Sequence, residues 1–181
     1  MKRILLGIMM LVFAINLYGY SYAAAGKEPT LDAKEAILKS INNNDFNEAK
    51  TIFEANKKNY HYLNDEFNQK LFMGLKSSIE KKDKESVLKW LDVSVASEIE
   101  RRLDGGIKNI KKFNIAKVML AKANKFYKIL SPSLDTKSNQ ILGEAIKNCM
   151  LSIGNPGLFG VGAKPVMPRN IKKINKLQLK F

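Results

Sequence analysis

The chain has 181 residues, of which 31 are Lys or Arg and 17 are Asp or Glu, so its net charge at pH 7 is +14. The single cysteine excludes an internal disulfide, and one cysteine with one histidine cannot form a Cys/His zinc site or a covalent haem attachment motif. Hydrophobic residues make up 45% of the chain, which is the range of globular proteins and argues against a wholly disordered polypeptide.

The first 25 residues have the layout of a secretory signal peptide. Lys2 and Arg3 give a positive start, an uncharged run extends from Ile4 to Ile15, and three alanines occupy positions 23–25. The run is shorter than the roughly 20 residues that a membrane-spanning helix needs. We therefore expect export to the periplasm or the medium, with cleavage near the alanines and no transmembrane span afterwards. An N-terminal anchor that is not cleaved is the alternative.

After residue 26, apolar residues recur at helical spacing, and no alternating stretch is long enough for a sheet. The sequence predicts an all-α fold, a small bundle of about six helices with an extended Gly/Pro-rich C-terminal segment. Two glycines, Gly105 and Gly106, are expected to end the fourth helix, and Asn59 to Leu63 is expected to be a loop. The predicted organisation is a signal peptide at 1–25, a helical domain at 26–153, and a Gly/Pro-rich strip with a basic tail at 154–181, packed on the helical domain.

A faint repeat with an offset of 38 residues suggests tandem helical hairpins. Each copy combines a helix, a turn with an aspartate cap, and a second helix. Two copies are weak evidence, and two unrelated hairpins with similar turns remain the alternative. The residues of the first copy are Ile37, Ser40, Ile41, Asp45, Ala49, Ile52, Phe53 and Glu54, and those of the second are Leu75, Ser78, Ile79, Asp83, Val87, Trp90, Leu91 and Asp92.

Positive charge is concentrated in the second half of the chain. Residues 26–104 hold 14 basic and 15 acidic residues, whereas residues 105–181 hold 15 basic and 2 acidic residues. A surface with so few counter-charges attracts anionic partners. A genome rich in lysine codons is the competing explanation, but such a bias should enrich both halves alike. The predicted partner-binding residues are Lys117, Lys125 and Lys128, on the exposed side of the fifth helix, and Lys164, Arg169, Lys172, Lys173 and Lys176 in the tail.

The expected partner is an anionic envelope surface or an acidic protein. Nucleic acid is disfavoured, because arginine is scarce for base readout and no recognition motif is present. In the C-terminal strip, Leu158, Phe159 and Val161 are expected to fill a groove between helices or to bind a partner protein.

Residues that could carry catalysis are few, so no catalytic, cofactor-binding or metal-binding residue is predicted. Cys149 lies within the apolar stripe of the last helix, which indicates a buried, inert thiol. The acidic residues Glu98, Glu100 and Asp104 alternate with arginines, which indicates a salt-bridged surface rather than a metal site. The sequence therefore predicts a non-enzymatic interaction protein.

Two other functions stay open. One is a periplasmic bundle that binds a small ligand or a metal, and the other is an enzyme that uses His61, the sole histidine. The first would need a pocket, for which the candidate lining residues are Trp90, Phe126, Tyr127 and Phe159.

Overall fold

The computed structural model describes residues 28–153, which form an all-α helical bundle with no strand, as predicted. The predicted signal peptide and the predicted strip and tail lie outside these residues. Within residues 28–153, no helix has the length and hydropathy that crossing a membrane requires. The helices are α1 (Pro29–Asn42), α2 (Phe46–Ala55), α3 (Lys57–Glu66), α4 (Leu71–Glu80), α5 (Lys84–Lys108), α6 (Phe113–Leu130) and α7 (Thr136–Ser152), with a 3-10 turn at Ser131–Ser133 between α6 and α7.

Helix α3 replaces the predicted loop, so the expectation for residues 59–63 was wrong. Tyr60 and Leu63, three residues apart, are both fully buried and give α3 a short apolar stripe. Asp65 and Glu66, whose negative charge would suit the start of a helix, instead end α3, and α4 starts at Leu71. The described residues consequently contain seven α-helices rather than six.

The two glycines at 105 and 106 do not end α5, which continues to Lys108, so this prediction was also wrong. Both glycines face α6. A Cβ atom on Gly105 would lie 3.4 Å from the Met119 sulfur, and one on Gly106 would lie 3.5 Å from a Leu120 methyl group. Both distances are ordinary van der Waals contacts, so the packing leaves room for a Cβ atom at either position. Helix α5 continues through the two glycines because its second half packs against α6 in the rear core, and this packing outweighs the poor helix propensity of glycine.

The turns between α1 and α2 and between α4 and α5 are built in the same way. Asp45 and Asp83 each accept a hydrogen bond from the backbone N–H three residues later, at 2.8 and 3.1 Å. The preceding residues, Asn44 and Lys82, both adopt a left-handed conformation, with φ of 59° and 56°. The 38-residue offset thus relates two hairpins of matching local geometry. Their buried positions also correspond, pairing Ile37 with Leu75, Ser40 with Ser78, Ile41 with Ile79, Ala49 with Val87 and Phe53 with Leu91.

Helix α5 joins two hydrophobic cores. Its first half, with Val87 and Leu91, packs into a front core formed with α1, α2, α3 and α4. Its second half, with Ile99 and Leu103, packs into a rear core formed with α6 and α7. The nearly neutral part of the sequence therefore forms the front core, and the strongly basic part builds the helices of the rear core.

Candidate anion-binding surface

Helix α6 is amphipathic and turns one side to the rear core. From its sequence spacing, Val118 is expected in the apolar stripe of this helix together with Ala123, Phe126 and Leu130. The structure leaves Val118 51% exposed, because the buried stripe is centred on the side of the helix that carries Ala116 and Leu120. The buried residues of the stripe are Ala116, Leu120, Ala123, Phe126 and Leu130.

The lysines predicted on α6 are all exposed, on the side away from this stripe. No carboxylate within residues 28–153 lies within 4.0 Å of the ammonium group of Lys117, Lys125 or Lys128. Lys117 lies 5.7 Å from the centre of the Phe113 ring, a cation–π contact that leaves its charge in place. Lys128 lies eleven positions after Lys117, so at 1.5 Å per residue the three charges extend over about 16 Å of helix.

Two further lysines, Lys111 and Lys112, lie in the turn before α6 and are also exposed. They likewise have no carboxylate within 4.0 Å among the described residues. We call Lys111, Lys112, Lys117, Lys125 and Lys128 the α6 basic face. Lys111 and Lys112 are not among the predicted partner-binding residues, because a lysine in a turn has no helical periodicity that would predict its exposure.

The other four lysines of residues 105–153 do not belong to this face. Lys137 and Lys147 on α7 are exposed with no carboxylate within 4.0 Å among the described residues, whereas Lys108 and Lys122 are neutralised. The Lys108 ammonium group lies 2.7 Å from an Asp104 carboxylate oxygen, and this hydrogen bond raises the pKa of Lys108. Lys122 lies 2.9 Å from a carboxylate oxygen of Glu28. The distribution of carboxylates therefore restricts the unpaired charge to part of the rear surface.

A buried polar network begins at Glu98, in the middle of α5. The Glu98 side chain, 1% exposed, accepts hydrogen bonds from the Thr30 hydroxyl at 2.6 Å and from Arg101 Nε at 2.8 Å. The Asn59 side-chain amide donates to the Thr30 hydroxyl at 2.7 Å. The expectation of a salt bridge at this position was right, but its placement on the surface was wrong, because α1 and α3 cover Glu98.

The network continues through Arg102 to α6. Arg102 Nη2 donates to Glu28 at 2.8 Å and lies 3.7 Å from Glu98, and its guanidinium carbon lies 5.8 Å from the centre of the Phe126 ring. Glu28 also accepts the Lys122 contact. These links join α1, α3, α5 and α6, so they hold the helix that carries the α6 basic face. Arg102 and Glu28 are 74 residues apart, so no local pattern in the sequence predicts their ion pair.

The candidate reactive groups are placed as follows. His61 lies on α3 rather than in a loop, is exposed, and stacks on the Phe72 ring with a centroid distance of 3.8 Å. Cys149 is fully buried, as expected, and burial raises the pKa of its thiol to about 11. Within residues 28–153, no three His, Cys, Asp or Glu side chains are grouped where they could hold a metal ion.

The residues suggested for a ligand pocket do not come together. Trp90 packs in the front core, whereas Phe126 and Tyr127 belong to the rear core, where the Tyr127 hydroxyl donates to Asn139 Oδ1 at 2.7 Å. Phe159 lies outside the described residues, as do the other predicted positions beyond 153, namely Leu158, Val161, Lys164, Arg169, Lys172, Lys173 and Lys176.

Comparison of the chain with protein-family models, with curated proteins and with solved structures finds no match.

Proposed function

We propose that this protein is an exported, non-enzymatic interaction protein that docks on an anionic partner through the α6 basic face. The observation that carries the proposal is the set of exposed lysines on and before α6 with no carboxylate partner in the described part of the chain. Unpaired charges that share one surface add their fields, which raises the local concentration of an anionic partner and speeds its association.

The difference between the two parts of the bundle supports this proposal. Residues 28–104 carry 13 basic and 15 acidic residues, whereas residues 105–153 carry 9 basic and 2 acidic residues. The front part therefore holds more acidic than basic residues, and its ion pairs include Lys34 with Asp92 on α5. A positive field is therefore expected over the rear helices and not over the whole molecule.

The expected partners are an anionic surface of the cell envelope or an acidic face of another protein. Both would be attracted by the same charges, and both associations would weaken as salt screens them over a Debye length of about 8 to 10 Å. The proposal accordingly predicts salt-sensitive binding that depends on the position of the lysines and not only on the net charge.

The test measures binding to inorganic polyphosphate as a function of salt concentration. The triple variant Lys117→Gln, Lys125→Gln, Lys128→Gln should lower the slope of log affinity against log salt by about 2, because each lost contact removes roughly 0.7 released counterions on a single-chain polyanion.

The matched control changes to glutamine three exposed front lysines that also have no ion pair within residues 28–153, namely Lys50, Lys58 and Lys89. It alters the net charge by the same amount, so we expect a much smaller change in the slope. Equal effects of the two triple variants would show that binding follows net charge alone, and a wild-type chain that does not bind at low salt would remove the proposal.

A further inference from the structure

The rear helices expose apolar side chains as well as charge. Nine large hydrophobic side chains are exposed in the described residues, and α6 and α7 carry six of them, although these two helices are a minority of the chain. Single exposed apolar residues are ordinary on a protein surface. In this protein, however, most of the exposed apolar side chains are concentrated on α6 and α7, the two most basic helices. The six are Ile115, Val118, Ile129, Ile141, Met150 and Leu151.

On α6, three of these residues lie on one side of the helix. At about 100° per residue, Val118, Ile129 and Ile115 fall within an arc of about 60°, and Lys125 lies next to this arc. Lys117 and Lys128 follow further around the exposed surface. The α6 basic face is therefore bordered along the helix by an apolar strip, which we define as Ile115, Val118 and Ile129.

From this arrangement, and building on the proposed function, we infer that the anionic partner is a phospholipid bilayer rich in anionic headgroups. The α6 basic face contacts the headgroups, and the apolar strip enters the boundary between headgroups and acyl chains. A helix that lies in the plane of a membrane interface presents this combination of lysines and aliphatic side chains on its exposed side.

A bilayer uses both parts of this surface, whereas a soluble polyanion uses only the charges. Each lysine near an anionic membrane contributes about fivefold in partition. Transfer of apolar side chains out of water adds a term that salt does not screen. The four-carbon lysine side chains also let the ammonium groups stay at the level of the headgroups while the helix axis lies deeper in the bilayer.

The experiment measures partition of the full chain into vesicles of phosphatidylcholine with phosphatidylglycerol, with pure phosphatidylcholine vesicles and inorganic polyphosphate as parallel probes. The apolar variant is Val118→Gln, Ile129→Gln. Its matched control is Met73→Gln, Leu88→Gln on α4 and α5, whose side chains are similarly exposed, at 63% and 39% against 51% and 37%. Every variant keeps residues 1–27, so any binding by that segment is common to all.

We expect the apolar variant to lose about tenfold in partition into the anionic vesicles while its affinity for polyphosphate stays unchanged. The control should match the wild type on both probes. The triple variant of Lys117, Lys125 and Lys128 should lose about 100-fold in partition into the anionic vesicles, at about fivefold per lysine, and should show the lowered salt slope on polyphosphate.

Other outcomes separate the two proposals. An apolar variant that partitions like the wild type, together with polyphosphate binding that depends on the α6 lysines, overturns the bilayer inference and leaves the docking function standing. The same conclusion follows if wild type binds polyphosphate but not anionic vesicles, as it would if another protein or this chain's own residues covered the strip. A wild-type chain that binds neither probe removes both proposals.

Discussion

Removal of the Glu98 carboxylate tests whether the buried network holds the rear helices on the front core. Glu98 is 1% exposed and accepts hydrogen bonds from Thr30 and Arg101, with Arg102 also nearby. The change Glu98→Ala leaves the Thr30 hydroxyl and Arg101 Nε without their acceptor, and it removes one of the two carboxylates near Arg102, which keeps Glu28 at 2.8 Å. Loss of one partner from a buried ion pair typically costs about 3–5 kcal/mol, and we expect a loss of free energy of unfolding in that range.

The assay is urea unfolding followed by circular dichroism, together with a thermal melt. At roughly 3–5 °C per kcal/mol for a domain of this size, the melting temperature should fall by about 10–20 °C. The change Glu98→Gln should cost less than the alanine change, because an amide oxygen can still accept the hydrogen bond from the Thr30 hydroxyl.

The matched control is Glu35→Gln on the exposed side of α1, where no ion pair is present among the described residues and the expected change is within about 0.5 kcal/mol. A loss below about 1 kcal/mol for Glu98→Ala would refute the reasoning. It would mean that water or alternative rotamers satisfy the arginines and that the network does not link α1, α3, α5 and α6.

Two further predictions concern packing and the thiol. Gly74→Ala should lower the free energy of unfolding by about 1–3 kcal/mol, because a Cβ atom there would lie 2.1 Å from the Trp90 ring. Gly105→Ala, with its nearest contact at 3.4 Å, should be neutral or stabilising by up to about 1 kcal/mol. Thermal melts followed by Trp90 fluorescence compare the two variants, and equal effects would contradict the close contact at Gly74. Burial raises the pKa of the Cys149 thiol from 9.0 to about 11. At pH 8 this thiol should therefore react with iodoacetamide at least about 100-fold more slowly in the native protein than in urea, and comparable rates would show that the thiol is accessible.

The fold class could be predicted from sequence because helical periodicity and caps are local signals. Asp45 and Asp83 both form the expected N-caps, each accepting a hydrogen bond from the backbone N–H three residues later. The errors occurred where tertiary contacts outweigh local propensity. Gly105 favours a helix end in isolation, but the packing of α5 against α6 in the rear core keeps it inside α5.

Only part of the candidate surface could be predicted from the sequence. The exposed positions of Lys117, Lys125 and Lys128 follow from helical spacing alone. Whether a lysine is neutralised depends on which distant acid folds next to it, and the pairing of Lys122 with Glu28 joins residues far apart in the chain. The exposure of Val118 was missed for a similar reason, since an apolar residue at the edge of a stripe can face either the core or the solvent.

The most direct test of the central claim is a lysine-reactivity footprint. The full chain is acetylated at low salt with and without inorganic polyphosphate, and the modification of each lysine is measured by mass spectrometry. The account predicts that polyphosphate protects Lys117, Lys125 and Lys128 while the reactivity of Lys50 and Lys58 on the front helices stays unchanged. Equal protection of both groups, or protection confined to the front helices, would contradict the claim that an unpaired basic face on α6 binds the anionic partner.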